Sequence, residues 1–202
     1  MTLDEIAGVA HEPAGTPIGV VVLTHGAGGS RESPLLIAVC DEWARRGWLA
    51  VRYNLPFRRR RPKGPPSGSS TADQAGIVEA VTVARGMTDG PVIAGGHSYG
   101  GRLTSMAVAE GLPVDVLTPF SYPLHPPGKP EKLRIEHFAA LDLPCLFVSG
   151  MKDPFGSPEE LEAQTVAIPG PVTHVWLPGG HDPRNADDAI VEAIRDWLTT
   201  LG

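Results

Sequence analysis

A serine set between glycines is the first feature of this sequence that could do covalent chemistry. Residues 96–100, GHSYG, have the form G-x-S-x-G, with an apolar stretch before them and a helical stretch after them. In that strand–turn–helix context the motif lifts a serine hydroxyl above the edge of a sheet as a nucleophile. The glycines give the sharp turn room against its neighbours. The sequence therefore predicts Ser98 as a nucleophile; the alternative is an ordinary capping serine in a glycine-rich turn.

A glycine-rich loop after the first predicted strand could stabilise negative charge. Residues 24–30 read THGAGGS. Acyl transfer to a serine needs two N–H donors aimed at the developing oxyanion, one after the nucleophile and one from a loop that follows an early strand. The sequence predicts Tyr99 and Ala27 as these donors, with Gly26 and Gly28 as alternatives to Ala27.

The same loop could also suggest phosphate binding, but two signatures of phosphate sites are missing. It has neither the Lys-Ser/Thr of a P-loop nor the G-x-G-x-x-G of a dinucleotide site. His25, which opens the loop, is expected to order it rather than to act as a base.

An acid and a base follow two later strands in the order that a serine nucleophile of this kind requires. Asp153 comes just after the predicted strand 143–149, and His181 comes just after the predicted strand 172–177. The two are about one strand–helix unit apart, roughly 30 residues, so their side chains can meet at the same sheet edge. We expect His181 to be the general base and Asp153 to orient it. Each residue alone would be an ordinary loop or turn residue.

Other histidines and one other acid compete for these roles. His97 is next to the nucleophile but is expected to point away, His174 falls inside a strand, and His125 and His137 lie off the strand tips. Asp182 is the rival acid, although it sits beside the base rather than across from it.

The elements that must position these residues alternate along the chain. Apolar runs predict strands at 18–24, 48–53, 91–94, 114–118, 143–149 and 172–177. Helical spacing predicts helices at 34–46, 71–87 (capped by Thr71), 99–110, 158–167 and 186–201. This alternation predicts an α/β fold of one domain over residues 1–202, with about six parallel strands, helices on both faces and no lid domain. The residues before the first strand leave room for one edge hairpin.

Composition narrows the classes of function. Hydrophobic residues make up 42% of the 202 residues, and the net charge of -6 argues against a general nucleic-acid binder. No secretory leader or bilayer-spanning stretch is visible, so we expect a cytoplasmic protein with no membrane partner. Cys40 and Cys145 fit no metal pattern, and no metal or other cofactor is expected.

Four stretches together resemble a known family. They are residues 24–29 (THGAGG), 96–102 (GHSYGGR), 122–130 (YPLHPPGKP) and 153–156 (DPFG). They resemble the small α/β-hydrolases grouped near dienelactone hydrolase, and more narrowly the branch of the testis-expressed hydrolase-like protein and a subunit of the non-specific-lethal chromatin complex. The resemblance implies a minimal α/β-hydrolase fold without a lid and a triad of Ser98, Asp153 and His181. Dienelactone hydrolase has a cysteine nucleophile where this chain has Ser98, so its substrate is not carried over.

Two loops could shape the choice of substrate. Residues 55–70 carry four consecutive arginines, which are either a solvated face or a site for an anionic substrate in which Arg58 would take part. Residues 121–129 carry Tyr122 and His125, which form either a pocket wall or a fixed turn. With His25, these three side chains are the candidate substrate contacts.

The expected function is serine hydrolysis of an ester or related acyl bond of a small molecule, through a Ser-His-Asp triad and an acyl-enzyme intermediate. A peptidase or a thioesterase is not separated from an esterase at this point. The alternative is a non-catalytic scaffold or binding protein on the same fold.

Overall fold

The computed structural model describes residues 2–182 and the isolated positions 190, 192, 193, 196, 197 and 199. The described residues form a seven-stranded sheet in the order β1-β3-β2-β4-β5-β6-β7. The strands are β1 (Gly8–His11), β2 (Val20–Thr24), β3 (Leu49–Tyr53), β4 (Val92–His97), β5 (Val116–Phe120), β6 (Cys145–Gly150) and β7 (Val172–Leu177). The helices are α1 (Pro34–Arg45), α2 (Pro56–Arg60), α3 (Thr71–Arg85), α4 (Tyr99–Ala109) and α5 (Pro158–Thr165), with a 3-10 turn at Phe138–Ala140.

The sheet is buried on both faces. Along β2, Val20 and Val22 pack into the apolar layer that contains α3 and α4, whereas Val21 and Leu23 pack into the layer that contains α1. Successive side chains of a strand point to opposite faces, so a strand between two helical layers must be apolar throughout. This requirement explains why β2 appears in the sequence as an unbroken apolar run.

Six strands, β2 to β7, run parallel to one another, as predicted. β1 adds a single antiparallel edge strand beside β3 where the sequence left room for a hairpin. It is only four half-buried residues long, which is too short to leave a periodic signal.

Two helix predictions differ from the structure. The stretch predicted as loop 55–70 contains α2, which is about one and a half turns long. This helix starts with Pro56, because the fixed φ of proline suits the first position of a helix. The N-cap of α3 is Ser70 rather than Thr71, and its side chain makes no capping hydrogen bond. The predicted helix 186–201 lies largely outside the described residues.

The turn between β4 and α4 is packed backbone against backbone. A Cβ atom on Gly95 would lie 2.0 Å from the carbonyl oxygen of Thr118, and one on Gly100 would lie 2.5 Å from that of His25. Because no side chain fits in these contacts, the glycines allow α4 to start directly on the end of the sheet.

Within the described part of the chain, no helix is long and apolar enough to cross a membrane.

Gly95→Ala is expected to lower the free energy of unfolding by about 2 kcal/mol or more, because the new methyl group must push β5 away from β4. Urea unfolding measures this. The matched control is Gly15→Ala, because a Cβ atom there meets nothing within 4 Å; its change should stay within about 0.5 kcal/mol. Equal stabilities of the two variants would contradict the close packing of β4 and β5.

Candidate active site

Ser98 occupies the turn between β4 and α4 with a strained backbone. Its φ of 49° and ψ of -116° lie where a residue with a side chain rarely sits, at a cost of about 1–3 kcal/mol. Two hydrogen bonds hold the turn: the Ser98 amide donates to the Phe120 carbonyl (2.8 Å), and the Arg102 amide donates to the Ser98 carbonyl (2.9 Å). The turn places Ser98 in the wall of a cavity of about 980 Å³.

Ser98, His181 and Asp153 form a continuous chain of hydrogen bonds. The Ser98 Oγ lies 2.7 Å from His181 Nε2, and His181 Nδ1 lies 2.8 Å from Asp153 Oδ2 and 3.0 Å from Oδ1. A carboxylate only accepts hydrogen bonds, so Nδ1 carries the proton and Nε2 is free to accept from the serine hydroxyl. The structure thus brings together the three residues predicted as a triad, in an arrangement that can deprotonate Ser98.

The acid and the base are each fixed by a second contact. Asp153 is buried, and its Oδ1 also accepts a hydrogen bond from the Phe155 amide at 2.8 Å. The Phe155 ring lies over the His181 ring with centroids 4.0 Å apart. These contacts restrict rotation of the carboxylate and of the imidazole.

His97 does not contact the nucleophile with a ring nitrogen but holds the loop of the base. Its Nε2 donates to the backbone carbonyl of His181 at 3.1 Å. Burial lowers the pKa of His97, which keeps the ring neutral. His97 is therefore a brace between β4 and the loop after β7.

The two predicted oxyanion donors, Tyr99 and Ala27, lie in the two segments that adjoin Ser98. Tyr99 is the first residue of α4, and Ala27 lies in the loop that lines the cavity beside Ser98. A Cβ atom on Gly26 would lie 3.4 Å from Ser98 Cβ, so this loop runs directly against the serine. In the described part of the chain no acceptor takes the amide hydrogen of Ala27 or of Tyr99. Neither amide is thus taken by a protein acceptor, which is what a donor to an oxyanion requires.

The rest of the cavity wall mixes apolar and charged side chains. Apolar contacts come from Pro34, Leu35, Pro62 and Phe155, and charged groups come from Glu32, Arg58, Lys63 and Asp182. Among the described residues, no cluster of three His, Cys, Asp or Glu side chains could hold a metal ion.

His25 and Arg58 line the cavity, but their polar atoms form hydrogen bonds with the protein backbone. His25 is 1% exposed, and both its ring nitrogens are bonded to backbone, at Gly26 and Leu55. Arg58 is 6% exposed, and its guanidinium donates to four carbonyl oxygens, those of Gly29 (2.7 Å), Gly64, Ala27 and Arg61. The predicted arginine fork for an anionic substrate is thus occupied by backbone carbonyls.

The other three arginines of the run have separate surroundings. Arg59 pairs with Glu79 at 3.3 Å, Arg61 donates to Pro65 and Ser67, and Arg60 is exposed. The four arginines therefore have separate surroundings and do not act as one group.

Tyr122 and His125 do not line the cavity. The Tyr122 hydroxyl donates to the Arg134 carbonyl, and His125 bonds to the Pro126 carbonyl and, at 3.4 Å, to Glu160. Both side chains are buried because the loop after β5 folds back on the core. Of the two predicted alternatives for this loop, the structure fits the fixed turn rather than the pocket wall.

The sequence analysis did not identify Asp73, whose side chain contacts the residue that follows Ser98. Its buried carboxylate accepts from the Tyr99 hydroxyl (2.9 Å) and from the Phe57 amide (2.9 Å). It thereby ties the start of α4 to α2. In the sequence it is only an acidic residue in the first turn of a helix, so no pattern distinguishes it.

Arg58→Ala is expected to lower the free energy of unfolding by about 2 kcal/mol or more, because four carbonyls lose a charged donor. It should lower kcat/KM for anionic and neutral p-nitrophenyl esters by the same factor. The control is Arg60→Ala, whose side chain is exposed and should leave stability and activity near wild type. A selective loss with anionic esters would restore the anion-site interpretation.

Protonation of buried His25 should make folding depend on pH. Burial lowers the pKa of its ring from 6.5 to about 4. Between these values the unfolded chain binds more protons at this residue, so the free energy of unfolding falls as the pH falls from about 6.5 to about 4. Urea unfolding across this window should show a smaller fall for His25→Asn than for wild type. Identical slopes would contradict a buried neutral His25.

Comparisons with known proteins match this architecture. A family model described as an alpha/beta hydrolase domain matches residues 17–192. An alpha-beta serine hydrolase homologue from Coxiella burnetii has a TM-score of 0.76 at 18% identity over 94% of this chain and 90% of its own. Est1E from Butyrivibrio proteoclasticus with ferulic acid bound has a TM-score of 0.77 at 18% identity, with 96% and 94% of the chains covered. Dienelactone hydrolase from Anabaena variabilis has a TM-score of 0.74 at 20% identity, with 96% and 90% covered.

At 18–20% identity the solved structures show only that the fold is shared. The assignment to a family depends on the family model that matches residues 17–192. The predicted fold class is confirmed: the chain belongs to the alpha/beta hydrolase domain family.

Proposed function

We propose that this protein is a serine hydrolase that cleaves an ester or related acyl bond of a small molecule. The observation that carries the proposal is the hydrogen-bonded chain from Ser98 through His181 to Asp153, which opens into the cavity. The family supports hydrolysis, and the structural neighbours include a serine hydrolase homologue and a dienelactone hydrolase.

The proposed first half-reaction forms an acyl-enzyme. Ser98 Oγ attacks the carbonyl carbon of the substrate while its proton moves to His181 Nε2, and Asp153 stabilises the imidazolium. The amides of Ala27 and Tyr99 hold the oxyanion of the tetrahedral intermediate. Collapse of that intermediate breaks the bond to the leaving group, which takes the proton from His181.

The second half-reaction consumes one water. His181 accepts a proton from the water, whose oxygen attacks the acyl carbon, and the proton then passes to Ser98 Oγ as the acid leaves. The sum is ester plus water giving acid plus alcohol.

The alternative is a non-catalytic binding protein on the same fold. The backbone of Ser98 argues for the enzyme, because binding alone gives no reason to keep a strained residue hydrogen-bonded to His181.

Three further assignments are part of the proposal. The partner is a small acyl compound rather than a nucleic acid or a membrane. The location is the cytoplasm, where the buried free thiols of Cys40 and Cys145 would stay reduced. Membership of the narrower testis-expressed branch depends on residues 122–130.

The test is labelling with a fluorophosphonate probe together with hydrolysis of p-nitrophenyl acetate. Ser98→Ala should abolish labelling. Both Ser98→Ala and His181→Ala should lower kcat by at least about 10⁴-fold, and Asp153→Asn by about 10³–10⁴-fold through loss of the correct tautomer.

A second Ser–His pair provides the matched control. Ser105 Oγ lies 2.7 Å from His137 Nε2, but Ser105 is fully buried, so Ser105→Ala should keep both labelling and turnover. A folded wild-type protein that neither reacts with the probe nor hydrolyses the ester would favour the binding protein.

A further inference from the structure

We propose that His25 is a positioning residue of the oxyanion hole, which orients and polarises the peptide between Gly26 and Ala27. The inference rests on the proposed function, in which the Ala27 amide holds the oxyanion. It assigns to His25 a part in catalysis that needs no contact with the substrate.

The hydrogen bonds of His25 determine its tautomer. The Leu55 amide lies 3.2 Å from His25 Nε2, and a backbone amide can only donate, so Nε2 is the accepting nitrogen. The proton of the neutral ring is therefore on Nδ1, which donates to the Gly26 carbonyl at 2.8 Å. No ring nitrogen is left to serve as a base or to bind a substrate.

The Gly26 carbonyl and the Ala27 amide are the two ends of one peptide group. A donor at the oxygen of a peptide draws electron density from its N–H and strengthens the hydrogen bond that this N–H makes. The Gly29 amide also donates to the Gly26 oxygen, at 3.1 Å. Two donors at one carbonyl fix the plane of the peptide and aim its N–H away from them.

The surroundings of the ring keep this arrangement rigid. The Phe57 ring packs edge-on against His25 with centroids 5.6 Å apart, and Arg58 holds the carbonyls of Ala27 and Gly29. The charged or titratable groups that act on the ring are Arg58, Asp73 and His97. The loop is thus held in place by protein groups before any substrate arrives.

Two substitutions separate the two hydrogen bonds of His25. In His25→Asn the side-chain amide can replace Nδ1–H as donor to Gly26, but nothing reaches Leu55. In His25→Gln the side-chain oxygen can replace Nε2 as acceptor from Leu55, but the donor to Gly26 is lost. If His25 only stabilises the fold, the loss of kcat in each variant should follow its loss of stability. If His25 positions the oxyanion peptide, kcat should depend on the hydrogen bond to Gly26 and hardly on the one from Leu55.

We expect His25→Gln to lower kcat for p-nitrophenyl acetate by at least about 10-fold with KM nearly unchanged, since removal of a whole oxyanion donor costs about 10²–10³. His25→Asn should stay within about 5-fold of wild type. Affinity for an aryl trifluoromethyl ketone, whose adduct with serine carries an oxyanion, should fall with kcat. The control is His11→Gln, a histidine bonded to Asp41 and Arg52 away from the cavity, which should keep wild-type kcat.

Thermal unfolding of each variant and ¹⁵N NMR of the ring complete the test. The NMR signals of wild type should show His25 protonated at Nδ1, independently of activity. If the wild type is active, four results would each overturn the role of His25 and leave the proposed function intact. They are equal losses of kcat in His25→Asn and His25→Gln, losses confined to KM, losses that follow Tm, and a ring proton on Nε2. A folded wild type without hydrolysis or probe labelling would overturn the proposed function, and this inference with it.

Discussion

The backbone of Ser98 is the constraint on which the rest of the site depends. A residue with a positive φ at the end of a central strand is stable only if its neighbours leave no other conformation, and here Gly95, Gly96, Gly100 and Gly101 bring backbone into contact on all sides. The cost of about 1–3 kcal/mol is a substantial fraction of the 5–15 kcal/mol that stabilises a typical domain. It is offset by the packing of β4 between β2 and β5.

Parallel strands make the meeting of the other groups a matter of geometry. The loops after β2, β4, β6 and β7 all leave the same edge of the sheet, and they carry the glycine-rich loop, Ser98, Asp153 and His181 respectively. Side chains that are far apart in the chain therefore need only short loops to come together. The contacts of Phe155 and His97 with His181 then remove the remaining freedom of the base.

The sequence was informative where a chemical role coincides with a strand end. Ser98, Asp153 and His181 could be found because each follows an apolar run, in an order that the fold requires. The directions in which the predicted substrate-contact side chains point could not be inferred from the sequence in this way. Arg58 lies in the short helix α2, Tyr122 and His125 lie in a loop, and no periodicity marks their segments. Each of the three side chains bonds to backbone carbonyls. The buried carboxylate of Asp73 left no signal, because its partners, Tyr99 and Phe57, come from two other segments.

The glycine-packed turn and the rest of the cavity wall differ in how far their residues can change during evolution. At Gly95, Gly96, Gly100 and Gly101 an added side chain collides with backbone, so these positions around Ser98 cannot vary while the fold persists. Leu35 and Lys63 also border the cavity, but they come from the start of α1 and from the loop after α2. Selection can therefore change the shape and charge of the wall residue by residue while the chemistry is inherited intact. Descendants of one such chain would diverge in what they accept long before they diverge in what they do.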